Sequence, residues 1–111
     1  MKAMDDSADL VVRDNPEEER YEAWAGERRA GFVDYSRDGD TLEVLHTEVT
    51  PEFEGQGVGA ALARIVLDEA RAAGLQVNPE CPFTARWIAR HPDYEDLVPE
   101  RWRDRIARAK H

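Results

Sequence analysis

The sequence predicts an α+β fold: a mixed, mostly antiparallel sheet with one parallel pair and helices packed on it. Three observations carry this. Three strand-like stretches follow one another through tight turns. The apolar period then lengthens to that of a long amphipathic helix. A glycine-rich turn joins the two regimes, and a short strand and a second helix follow it.

Asp9 to Arg13 contains Leu10-Val11-Val12, a short strand candidate stopped by Asn15-Pro16. Arg20 to Ala25 alternates and reads as a strand with both faces occupied. Gly26-Glu27 turns the chain into Arg29–Ser36, which carries Phe32, Val33 and Tyr35. Asp38-Gly39 centres the next turn. Thr41 to Val49 is then a strand with Leu42, Val44, His46 and Glu48 on one face and Leu45, Thr47 and Val49 on the other.

From Gly57 to Ala73 the residues Val58, Ala61, Leu62, Ile65, Val66, Glu69, Ala70 and Ala73 recur at helical steps, and only Glu69 is polar. Gly74 stands at the C-cap position. Leu75 to Asn78 is a brief strand, and Pro82 to Arg90 a second helix closed by His91-Pro92. Asp93 to Val98 is a turn-rich connector, and residues 99–110 hold a short terminal helix. The strand from Leu75 is expected parallel to the one ending at Val49, joined by a right-handed helical crossover. One domain is expected over residues 1–111, with its core at about 9–98.

Composition narrows the classes. A net charge of -9 makes nucleic acid a poor partner, because phosphate contacts supply most of that affinity. No apolar run approaches the roughly 20 residues that span a bilayer, so no membrane role is expected. No apolar stretch of signal-peptide type opens the chain, and secretion is not expected. Cys81 is the lone cysteine, so neither an internal disulfide framework nor a cysteine-based zinc cluster is expected. A lone thiol suits a reducing cytoplasm.

The chemistry centres on Gly55-Gln56-Gly57-Val58-Gly59. Glycines at alternate positions free the backbone for left-handed conformations and clear Cβ atoms from the approach path. The first N–H groups of the following helix lack internal partners and can bind phosphate oxygens. Ala60-Ala61 follow where a nucleoside-triphosphate loop needs Lys-Ser or Lys-Thr. One residue, rather than two, separates the last glycines, unlike the dinucleotide fingerprint. A turn of this kind can also serve only as a connector.

Cys81 lies between Pro79 and Pro82 at the expected start of a helix, where a thiol pKa falls. A buried, inert cysteine is the alternative. His46 and Glu48, two residues apart on one strand face, suit a base and a carboxylate that orients it or holds a cationic amine. An ordinary sheet-face pair is equally consistent.

Strand, Gly-Gln-Gly-Val-Gly and long helix resemble the acetyl-CoA motif of the GNAT superfamily of N-acetyltransferases. The segments His46-Thr47-Glu48-Val49, Pro51-Glu52-Phe53, Cys81-Pro82-Phe83 and His91-Pro92-Asp93-Tyr94 resemble its small YjdJ-type branch. The resemblance covers about Tyr21 to Val98. It implies a GNAT-like fold and acetyl-CoA as cosubstrate for an unidentified primary amine. It implies that Val49 meets the pantetheine arm and that Gly55, Gln56, Gly57, Val58, Gly59 and Ala60 line the pyrophosphate. It implies that Cys81 lies near the thioester, as acid or acetyl acceptor. Two departures stand out. Glu54 occupies a place where related motifs carry Arg or Gln. The usual tyrosine acid has no counterpart on the second helix, which offers Trp87 and Ile88. An acetyl-CoA-binding accessory or sensor module is the alternative function, and a structural interaction domain a third.

Overall fold

The computed structural model describes residues 10–110; the expectations placed on Met1 to Asp9 fall outside that range. The elements are β1 (Leu10–Asn15), β2 (Arg20–Ala25), β3 (Arg28–Asp38), β4 (Thr41–Val49), α1 (Val58–Ala72), β5 (Gln76–Pro79), α2 (Pro82–Arg90) and α3 (Arg103–Ala109). A 3-10 turn at Pro51–Phe53 precedes the glycine segment, and further 3-10 turns at Pro92–Leu97 and Glu100–Trp102 connect α2 to α3. The strands form one sheet in chain order. β1 to β4 pair antiparallel, and β4 pairs parallel with β5. The mixed sheet is as expected, and α3 is shorter than the expected terminal helix because its first turn is 3-10.

The face assignment on β4 needs correction. Tyr35 lies opposite Val44, but Asp34 lies opposite His46, so Leu45 is an extra residue. A bulge of this kind breaks the two-residue alternation. Beyond it, Thr47 stands opposite buried Val33, while His46 and Glu48 stand opposite Asp34 and Phe32. Leu42, Val44, Thr47 and Val49 therefore share one face. His46 and Glu48 lie on the other, with side chains 59% and 63% exposed.

Helix α1 touches all five strands. Its buried face is Val58, Gly59, Leu62, Ala63, Val66, Leu67 and Ala70. Ala63 and Leu67 are buried in place of the expected Ala61, Ile65 and Glu69, which flank this face. The alanine-rich helix is apolar over more than one stripe, so helical spacing alone did not fix its rotation. Glu69 still has a task at the margin: it accepts a 2.7 Å hydrogen bond from the Tyr21 hydroxyl. Tyr35 likewise donates to Asp14 at 2.6 Å. Burial first, and the carboxylate partner second, push both phenols above their ordinary pKa.

Gly31 on β3 sets how closely these layers approach. A Cβ there would lie 2.7 Å from the Glu48 carbonyl oxygen and 3.0 Å from Val58 Cγ1. Gly31→Ala is expected to lower stability by about 1–3 kcal/mol through overpacking between β4 and the first turn of α1. Urea denaturation checks this: an unchanged midpoint would show that the backbone absorbs the methyl group.

Candidate functional site

The parallel pairing of β4 with β5 ends at Val44 opposite Pro79. Cys81 makes one further link, its N–H donating to the Val44 carbonyl at 2.9 Å. Pro82 then starts α2. Strand β4 continues to Val49 with no partner on that edge among the described residues. At its end the Thr50 N–H donates to the Ala30 carbonyl at 2.8 Å. Backbone groups alternate along an antiparallel ladder, so those of Thr47 and Val49 face the unpaired edge.

The loop after β4 is firmly tied. The Thr50 hydroxyl donates to the Arg29 carbonyl at 2.9 Å, and Arg28 pairs with Glu52. The Gln56 side-chain amide donates back to the Glu52 carbonyl at 3.3 Å. That contact turns the Gln56 side chain toward its own loop, and its backbone N–H donates to the Phe53 carbonyl at 3.3 Å. Gly55 and Gly57 have φ of 82° and 81°. These left-handed conformations disfavour residues with a Cβ. Gly57 is the N-cap of α1, and its carbonyl accepts the first helical bond, from Ala61. No protein acceptor is recorded for the N–H groups of Val58, Gly59 and Ala60 among the described residues. The helix begins with unpaired donors and the positive end of its dipole.

Gly59 has a different reason to be glycine. A Cβ there would lie 2.7 Å from Phe83 Cζ, so Gly59 lets α2 approach the start of α1. Between them lies a groove of about 410 Å³, walled by Val49, Phe53, Gly57, Val58, Gly59 and Phe83. Glu54 also borders it and is solvent-exposed, as expected for a carboxylate that does not turn inward. Phe83 has the sequence's reading of a core or cofactor-packing residue, whereas Phe53 was not singled out. Its place two residues before the glycine turn was the available signal.

Cys81 is 3% exposed and caps α2. Its Sγ lies 3.4 Å from Thr47 Oγ1. Burial raises the thiol pKa, but hydrogen bonds to the thiolate from the Thr47 hydroxyl, from Thr84 and from the Phe83 N–H outweigh it. The net effect holds the group below its ordinary value. Thr47 was missed as a partner because two-residue alternation placed it on the face opposite Leu42 and Val44; only the bulge brings it to their side.

The other candidates sit apart from this sulfur. His46 Nε2 and Glu48 Oε1 are 3.3 Å from each other on the opposite face. Tyr94 is tied to the far end of α1, its hydroxyl donating to Asp68 at 2.7 Å. His91 caps α2, with Nδ1 2.7 Å from the Trp87 carbonyl and its ring stacked on Trp87 at 3.8 Å. A depressed pKa means that Cys81 becomes a thiolate as pH rises through a value below that of a free cysteine. Ultraviolet thiolate absorbance is expected to show that midpoint, and Thr47→Val is expected to raise it. An unshifted midpoint in Thr47→Val would mean that the hydroxyl does not stabilise the thiolate.

Comparison with known proteins agrees with this geometry. The solution structure of a GCN5-like protein from Staphylococcus aureus superposes with a TM-score of 0.65 at 24% identity, covering 83% of this chain and 90% of that one. It shares the fold. No curated protein matches the chain. The family model described as GCN5-related N-acetyl-transferase matches residues 20–97, from the start of β2 through the connector after α2. On that match, the chain belongs to the GCN5-related N-acetyltransferase family.

Proposed function

We propose that this protein binds acetyl-CoA and transfers its acetyl group to a primary amine. The observation that carries this reading is the groove at the unpaired N-terminus of α1, continuous along Val49 with the free edge of β4. Pyrophosphate oxygens would accept from the amides of the Gly55–Ala60 segment, where no basic side chain is needed. The pantetheine arm would pair with the edge of β4 at Val49 and Thr47, as a short added strand. Its thioester would then lie beside Cys81. The Cys81-Pro82-Phe83 and His91-Pro92 segments favour the small YjdJ-type branch, and the lone thiol favours a cytoplasmic setting.

The tuning of Cys81 supports covalent transfer. The thiolate attacks the acetyl carbonyl and displaces CoA as its thiolate, which takes a proton from solvent. The amine then attacks acetyl-Cys81, loses a proton and leaves the Cys81 thiolate behind. His46 and Glu48 flank the split of β4 from β5 on the opposite face. For an amine arriving from that side, His46 is the base and Glu48 its orienting carboxylate.

The alternative is an accessory or sensor module that binds acetyl-CoA with little or no turnover. It is favoured by the absence, among the described residues, of a second enclosing wall over the His46 face, where Val11 and Leu45 are exposed.

Calorimetry is expected to show acetyl-CoA binding that Gly57→Glu weakens by at least about 100-fold. Absence of binding at millimolar ligand would remove the reading. Intact mass after incubation with acetyl-CoA is expected to show one acetyl group, lost in Cys81→Ser. Binding without an adduct and without amine-dependent CoA release would select the sensor module. His46→Gln is expected to leave the adduct intact and slow its discharge to amine by about 10²-fold; unchanged discharge would remove His46 from the mechanism.

A further inference from the structure

A second groove opens beyond Phe83. It has a volume of about 440 Å³ and is lined by Ala60, Phe83, Arg86, Trp87, Arg90 and His91. Ala60 and Phe83 also border the groove at the glycine turn, so the two are halves of one channel. Val49, on the edge of β4 that β5 leaves unpaired, lines one end of that channel. Arg86 and Arg90 mark the other.

These two arginines are one helical turn apart, which places them on the same side of α2. The chain carries 24 acidic residues against 15 basic ones. Even so, neither Arg86 nor Arg90 has an ion pair or a side-chain hydrogen bond among the described residues. Arg71, in contrast, is engaged by Asp96 at 2.9 Å, and Arg20 by Asp34 at 3.4 Å. Arg90 lies in the last turn of α2, where the helix dipole favours a cation. Arg86 lies a full turn earlier and has no such explanation. The positive wall continues past Arg86 into the cleft between α2 and α3, which Arg105 and Arg108 line.

We infer that Arg86 and Arg90 form a phosphate clamp for the 3′-phosphate on the nucleotide end of coenzyme A. The inference rests on acetyl-CoA being the ligand. With the pyrophosphate at Gly55–Ala60 and the thiol end toward Cys81, the adenosine end leaves past Ala60 and Phe83. The 3′-phosphate is a dianionic monoester separated from the pyrophosphate only by the ribose, and guanidinium groups bind such a group through paired N–H donors. The amides of the glycine turn recognise the pyrophosphate, which coenzyme A shares with its 3′-dephospho form. The arginines recognise the group that distinguishes the two.

Calorimetry with CoA and with 3′-dephospho-CoA, on the intact chain and on Arg86→Gln/Arg90→Gln, tests this. The unmodified protein is expected to bind CoA at least about tenfold more tightly than 3′-dephospho-CoA. The double variant is expected to bind both with the affinity the unmodified protein shows for 3′-dephospho-CoA. An unchanged thermal midpoint would show that the variant is folded, as expected for Arg86 and Arg90, which are both exposed. Equal binding of the two ligands by the unmodified protein would overturn the clamp and leave the acetyl-CoA reading standing. Binding of neither would overturn both. A preference that survives in the double variant, or a loss of equal size for both ligands, would overturn the assignment to these arginines.

Discussion

Strand β5 pairs with β4 over only four residues, and prolines enforce the stop. Pro79 has no N–H to extend the ladder, and Pro82 has the fixed φ of a first helical residue. Between them Cys81 makes one last link to Val44 and caps α2. The consequence is a strand, β4, whose second half has, among the described residues, a partner on one side only. Everything at the candidate site follows from that split. It leaves backbone groups free beside the sulfur, and it lets α2 begin where α1 begins. Phe83 can then pack on Gly59 and close the groove from the side.

The bulge at Leu45 assigns side chains to the two faces of this split. One added residue sends Thr47 to the sulfur and His46 and Glu48 to the opposite face. Without it the hydroxyl and the thiol would lie on different sides of the sheet, and the thiolate would lose the contact that offsets its burial. In the proposed reaction the same residue separates two tasks. The thioester and Cys81 occupy the face shared with the helices, and the amine approaches from the face of His46. The strand between them is a wall for both reactants, open only where β5 has left it.

The sequence made the elements legible because each carries its own local signal. Asp38-Gly39 marks a hairpin, Pro82 and His91-Pro92 bound α2, and Gly74 closes α1. Gly55 and Gly57 were readable as left-handed positions, and their φ values agree. What was not legible depended on register. Nothing in Thr41–Val49 marks Leu45 rather than Val44 as the extra residue, since both are apolar; the bulge comes from pairing with β3, which no local pattern encodes. The rotation of α1 was hidden for a related reason: alanines at positions 60, 61, 63, 70, 72 and 73 make several faces equally acceptable. Gly31 was silent too, and Gly59 was read as part of the turn rather than as a packing position. Their need for glycine comes from distant atoms, Val58 and Phe83 among them, rather than from their own φ.

A net charge of -9 opposes binding of an anionic cofactor, but its influence depends on distance. Exposed charges beyond the Debye length of about 8 Å at physiological ionic strength are largely screened. Many of the acids also have engaged partners: Glu22, Asp34, Glu52 and Asp96 pair with arginines. Glu54 borders the groove but lies at the surface, where water solvates it. What a phosphate meets at contact range is therefore the N-terminus of α1, with Arg86 and Arg90 further along the channel. Within that screening length the exposed acids elsewhere on the surface raise the local concentration of cations. A protein built this way would draw a protonated amine toward itself and hold an anion only where backbone donors and arginines such as Arg86 and Arg90 face it. In the proposed reaction those are the opposite charges of its two substrates.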